Sequence, residues 1–284
     1  DNISGILTEG NFVWTTNYSV VSHGVYEFDG TTWRALTSDD GGNYLLRDKN
    51  KDLWFAKRFL FGPSLHKYDY SDDSITDKSS SLPIPPPFTS VLSEMATDSE
   101  GKIWMAQITS LGPDKSVLFA IDQAISYDEN DCDIFNHAIL EVEIMPSGDL
   151  WLGTVTGGSP AGGVACLKKE TGEWETYQTG NSTLPDNLIL DMKSDAQNRI
   201  WIGTQKGLAM FDGSDWKIYN TENSSLPSDT VNAVTIDAFG AKWIATPKGL
   251  ARFNEITADY EFTDCSLYTS FIDQSQTSPG AITA

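Results

Sequence analysis

The chain has 284 residues, 39% of them hydrophobic, and its 40 acidic against 19 basic side chains give a formal net charge of −21. That length buries an ample core without metals or disulfides, while the acidity argues against nucleic acid and anionic membrane surfaces, both of which need clustered Lys and Arg. Cys132, Cys166 and Cys265 are too few and too scattered for a disulfide framework or a zinc site. No apolar run approaches the ~20 residues of a membrane helix, and no targeting segment is read at Asp1.

In chain order, a Trp preceded by an apolar residue recurs as Val13-Trp14, Leu53-Trp54, Ile103-Trp104, Leu150-Trp151 and Ile200-Trp201, with Lys242-Trp243 as the last copy. The intervals are 40, 50, 47, 50 and 42 residues, so the chain carries six units. Six residues before the Trp stands Asp48, Asp98, Asp195 or Asp237, with Thr8 and Met145 in the remaining copies; three before it come Gly101, Gly148, Gly240 or Asn198. Asp opening a turn and Gly or Asn supplying positive φ suit a tight antiparallel connection. The last two copies are the strongest: residues 200–208 return as 242–250, and Leu184-Pro185 returns as Leu226-Pro227.

The fifth unit shows the internal pattern. Residues 188–192, 199–204, 207–211 and 216–219 are brief, rich in β-branched and aromatic residues, and separated by Gly, Asp, Asn and Pro. No stretch offers an amphipathic helix at a 3.6-residue period. Four short antiparallel strands per unit predict an all-β fold, a β-propeller of six blades with four antiparallel strands each, the Trp filling space between blades. One propeller domain is expected over 1–266, with blades at 1–39, 40–81, 82–133, 134–181, 182–225 and 226–266. Residues 267–284 read as a C-terminal extension or linker that reinforces the seam between the first and last blades. Leu82 to Phe88 reads as a proline-stiffened connector between blades.

The run Asp-x-x-Gly-x-Ile-Trp-Ile-Gly-Thr-x-x-Gly-Leu, then Phe-Asp-Gly-x-x-Trp, then Asn-Ser-x-Leu-Pro, resembles the two-component regulator propeller repeat. The fifth and sixth units match it closely, and the fourth in part (Gly148 to Thr154). The resemblance implies a sensor-domain-like propeller in a periplasmic or extracellular, cell-surface setting. A weaker similarity to streptogramin lyases, which use His and Glu near a metal, implies the alternative of a metal-dependent lyase. No His and Glu pair stands at matching positions in the later units, so a non-catalytic role is expected, with no cofactor and no bound metal.

In such blades, the connectors entering the first strand and the loops after Trp-x-Gly-Thr share one face. Those loops vary from copy to copy, over 15–23, 56–63, 106–115 and 154–163, and shrink to Gln205-Lys206 and Pro247-Lys248. Variation on one face of a repeat protein marks a binding face. Its expected ligand-binding residues are Tyr18, His23, Arg58, Gln107, Lys206 and Lys248, with Lys57, Asn187 and Asp229 nearby. Cations converging in an acidic protein suit a carboxylate or an acidic glycan. The expected partner is therefore a small molecule or oligosaccharide, or a protein if the chain is an interaction scaffold of a cell-surface assembly. The acidic run 128–133 reads as a solvated loop, and the Asp48 to Asp52 run as turn residues with only an accidental likeness to a calcium loop.

Overall fold

Each tryptophan repeat folds as one antiparallel meander, because its β-branched and aromatic runs are broken at regular points by turn residues. The computed structural model describes residues 2–18, 23–37, 43–57, 64–83, 90–109, 115–155, 162–253 and 262–263. In each of the six sheets the strands pair in chain order, and the chain is a six-bladed β-propeller. Blade 5 comprises Ile189–Ser194, Ile200–Thr204, Gly207–Phe211 and Trp216–Tyr219, close to the strands expected from sequence. Blade 3 departs from the pattern: its first strand is split into Ser90–Leu92 and Ala96–Thr97, both paired with Ile103–Thr109. No α-helix occurs among the described residues, only short 3₁₀ turns at Ser79–Ser81 and Asp133–Asn136.

The blades group into two compact units, Asp1–Tyr177 with blades 1 to 4 and Gln178–Ala284 with blades 5 and 6. Within each, the two-residue period of a strand assigns side chains to opposite faces. In the first unit Trp14 packs with Leu53, Phe55 and Tyr68 of blade 2. Trp54 and Ala56 pack with Ile103 and Met105 of blade 3, and Trp104 and Ala106 with Leu150 and Leu152 of blade 4. In the second unit Trp201 packs with Ile244 and Phe253 of blade 6. The Trp thus faces the next blade, and the residues on either side of it face the previous one.

The Asp six residues before the Trp does more than open a turn. One carboxylate oxygen of Asp48 accepts the backbone N–H of Asn50 and Asp52 at 2.8 and 3.0 Å, and the other accepts the indole N–H of Trp54 at 2.9 Å. Asp98 does the same for Trp104 at 3.0 Å, Asp195 for Trp201 at 2.9 Å and Asp237 for Trp243 at 3.0 Å. This satisfies an indole N–H that would be costly to bury alone. Blade 1, with Thr8 at that position, uses other acceptors: the Trp14 indole donates to Glu27 and to the Tyr70 hydroxyl, each at 2.8 Å. Glu27 is 4% exposed and also accepts from Tyr70 and from Arg34.

The seam between blades 5 and 6 carries a denser version. Lys242 occupies a position that the other blades fill with Val13, Leu53, Ile103, Leu150 and Ile200, and it is 1% exposed. Its ammonium lies 3.3 Å from the Asp195 carboxylate and 5.0 Å from the Trp201 ring centroid. Arg199 donates to the same carboxylate and stacks on the same ring, its guanidinium carbon 5.5 Å from the centroid. One buried carboxylate is therefore shared by two cations and an indole.

Breaking this cluster at its centre should cost far more than trimming its edge. Asp195→Ala is expected to lower unfolding free energy by about 3–5 kcal/mol, because Arg199, Lys242 and Trp201 lose a buried partner. Lys242→Met should cost less than about 1.5 kcal/mol, since Arg199 and Trp201 still satisfy Asp195 and the volume is kept. Urea denaturation of both variants checks this, and equal losses would show that the carboxylate is not the centre.

A pH dependence follows from the same groups. Burial alone would raise the carboxyls of Asp195, Asp98 and Glu27, but hydrogen bonds outweigh it: Arg199 and Trp201 at Asp195, Trp104 and the Lys102 N–H at Asp98, and Tyr70, Trp14 and Arg34 at Glu27. All three are held below their ordinary range. A depressed carboxyl stabilises the fold above its unfolded-state pKa, and that contribution is lost as pH falls through the folded-state value. The melting temperature should therefore be flat from neutrality to about pH 5 and fall progressively below about pH 4. In Asp195→Asn the acid-induced fall measured by circular dichroism should be shallower.

Candidate functional site

On the face carrying the variable loops, the described frame is closed by threonine hydrogen bonds. In blade 5 the Thr204 hydroxyl donates to the Gly207 carbonyl at 2.7 Å and accepts the Lys206 N–H at 3.1 Å, closing a two-residue hairpin turn. Thr246 does the same with Gly249 and Lys248 at 2.8 and 3.2 Å. Gly207 and Gly249 both have φ of 137°, a region L side chains avoid. In the first unit the same Thr device closes the base of a long loop, where the Thr154 hydroxyl accepts the Gly163 N–H at 2.7 Å. Thr109 donates to the Lys115 carbonyl at 3.3 Å across another such loop. The Gly-Thr part of the repeat is a fixed pedestal on which turns of any length can stand.

Lys206 and Lys248 sit on the two shortest pedestals. The Lys206 side chain is 68% exposed, with its ammonium 3.6 Å from Asp186. Lys248 lies near Asp229, whose carboxyl is held below its ordinary range mainly by the Thr221 backbone N–H and side chain and secondarily by Lys248. Asn187 and Asp229 themselves brace the connectors, accepting the backbone N–H of Thr179 and Thr221 at 2.8 and 2.7 Å. That bracing is a structural duty the sequence did not disclose.

The remaining expected site residues divide as follows. Tyr18 ends the second strand of blade 1 opposite His23, which begins the third. Lys57 ends the second strand of blade 2. Arg58 lies outside the described residues, as do 84–89 of the proline-rich connector and 264–284 of the tail. Gln107 corrects an expectation of exposure: it is fully buried in the strand Ile103–Thr109, and its amide donates to Ser90 at 2.9 Å. His66 lies in the strand Ser64–Asp69, buried and stacked on Phe55 at 5.2 Å, while His137 is buried after the turn Asp133–Asn136.

Other sequence features resolve into local structure. Asp128 accepts both the N–H and the side-chain amide of Asn130 at 2.8 Å, so the acidic run 128–133 folds on itself. Asp48 is committed to its turn and its tryptophan. The Cys166 thiol is pushed up to about 12 by burial, which makes it an inert core group.

These repeats define the class, a tryptophan-repeat β-propeller. Residues 183–206 match the two component regulator propeller family, a stretch that runs from the connector to the Lys206 turn. Among solved structures, the extracellular domain of the putative hybrid two component system BT3049 from B. thetaiotaomicron aligns with a TM-score of 0.67 and 18% identity, over 92% of this chain and 33% of that one. The chain thus spans about a third of that extracellular domain's length. Virginiamycin B lyase from Staphylococcus aureus, solved with quinupristin, aligns with a TM-score of 0.67 and 12% identity, over 93% and 85% of the two chains. YCF48 bound to D1 peptide aligns with a TM-score of 0.58 and 16% identity, over 90% and 80%. At these identities the likeness is one of fold. No curated protein sequence matches the chain.

The pedestal can be tested apart from any ligand. Thr204→Val keeps the shape but removes both hydroxyl hydrogen bonds, leaving a buried Gly207 carbonyl short of a donor. A loss of about 1–2 kcal/mol is expected, together with faster amide exchange at Lys206; unchanged exchange would mean the turn holds without Thr204.

Proposed function

We propose that this chain is a non-catalytic, sensor-domain-like propeller that binds a ligand or partner on its variable-loop face, in a periplasmic or extracellular setting. The observation that carries this reading is the contrast between a constant frame and variable loops. Asp–Trp pairs and Thr-closed hairpins recur from blade to blade, whereas the turns they support run from two residues, Gln205-Lys206, to residues 155–163. The two-component regulator repeat at 183–206 and the fold likeness to an extracellular domain of a hybrid two-component system support the sensor setting. No helix among the described residues is long and apolar enough to cross a membrane.

Lys206 and Lys248 are the residues of this face to which binding is assigned first. Both stand on fixed turns with flexible ammonium tips near single carboxylates, Asp186 and Asp229. An incoming carboxylate can displace such a weak surface pair at little cost, because an exposed ion pair is worth about 0–1 kcal/mol. The ligand classes that fit are organic acids and acidic oligosaccharides. A protein partner is the second reading, favoured by the fold likeness to YCF48, whose structure contains a bound peptide.

A thermal-shift screen against organic acids, neutral and acidic glycans, and divalent metals tests the reading. A stabilising acid or glycan should lose most of its effect in the Lys206→Ala/Lys248→Ala variant. A hit that survives the double substitution would move the site elsewhere, and a divalent metal required for turnover of a substrate would replace binding with catalysis.

A further inference from the structure

The seams between blades differ at the end where the Asp-x-x-Gly turns lie. Between blades 5 and 6 that end is plugged by Lys242, reaching Asp195 over the Trp201 ring. At the corresponding position blade 3 has Ile103, too short to reach across. The seam between blades 2 and 3 holds a cavity of about 410 Å³. It is lined by the buried Trp54, Ile103 and Ile121 and by the carboxamides of Asn50 and Gln123.

Its walls gather Lys49, Lys67, Lys78 and Lys102, four of the 19 basic residues in the chain. Lys67 is held from behind by Asp52 at 2.6 Å. The other three each engage an acceptor of the wall: Lys49 the Glu100 carbonyl at 2.7 Å, Lys78 Asp122 at 2.8 Å, and Lys102 Glu100 at 2.8 Å. The stem of Lys49 lies across Gly101, where a Cβ would come within 2.4 Å of it, so the missing side chain of that turn is what admits the lysine. An ammonium has three donors, so each has capacity beyond its wall contact.

We propose that this seam binds a small sugar acid, a polyhydroxylated carboxylate of monosaccharide size. The volume lies within the range of ligand pockets and is too large for a bare inorganic anion. Four ammonium groups stand here among Asp48, Asp52, Asp69, Asp98, Glu100 and Asp122, closer to balance than the 19 basic against 40 acidic side chains of the whole chain, so an added carboxylate meets ammonium donors against less repulsion than elsewhere. Glu100, Asp122, Asn50 and Gln123 supply acceptors and donors for ring hydroxyls. This site is independent of the variable-loop face.

Titration calorimetry of the full chain with D-glucuronate tests it, with D-glucose and sulfate as controls. Glucuronate is expected to bind with Kd of about 1 mM or tighter, and glucose and sulfate at least about tenfold more weakly. Lys49→Ala/Lys78→Ala should weaken glucuronate by about tenfold or more, and Ile103→Lys, which copies the plug of the other seam, should abolish binding. Lys206→Ala/Lys248→Ala should leave it unchanged. If the first variant does not fold, Gln123→Ala on the exposed turn gives the same readout with a smaller loss. No glucuronate binding, equal binding of glucose or sulfate, or binding that survives both Lys49→Ala/Lys78→Ala and Ile103→Lys would overturn the assignment.

Discussion

A buried indole N–H is costly without an acceptor, and in four of the six blades the need is met inside the repeat by an aspartate six residues upstream. The same carboxylate closes the turn between the first two strands, so turn geometry, tryptophan rotamer and blade spacing are set by one side chain. Because the ring then faces the next blade, the hydrogen bond is also what gives the interior a direction. Everything built outward from it, including the Thr-closed hairpins, inherits a fixed orientation.

That rigidity bears on binding. On the proposed reading, a ligand meeting Lys206 or Lys248 would find the turn backbone already hydrogen-bonded, so the entropy of fixing a loop would not be charged against affinity. The longer loops of blades 3 and 4 also start from threonine-bonded bases, Thr109 with Lys115 and Thr154 with Gly163. The seam cavity is a different kind of site. It arises from incomplete filling between two blades, and its shape depends on Ile103 standing where another blade has Lys242.

Much of the fold was legible in the sequence because the strand period and the turn chemistry are local. The strands of blade 5 and the six-blade count follow from residues that neighbour one another along the chain. The split first strand of blade 3 did not show, since Ser93 substitutes its hydroxyl for a ladder bond by accepting the Ala106 N–H, a contact thirteen positions away in sequence. The candidate site was less legible. Gln107 reads as polar and loop-adjacent, yet register places it inward against Ser90. Asn187 and Asp229 read as free polar groups, but they close connectors through backbone contacts that composition cannot reveal. The constant six-residue offset between Asp and Trp was a visible signal of their bond, and the lysines of the 2–3 seam were hidden among turns that looked purely architectural.

Blade 1 solves the indole problem with borrowed parts. Trp14 donates to Glu27 of its own blade and to the hydroxyl of Tyr70, which follows the third strand of blade 2. Blades with their own aspartate carry the acceptor with them and could be duplicated, deleted or exchanged as modules. Blade 1 could not: moved next to any neighbour lacking a tyrosine at that point, it would lose one partner of its buried tryptophan and of the carboxylate beside it. The first and second repeats are therefore bound to evolve, and to be engineered, as a pair.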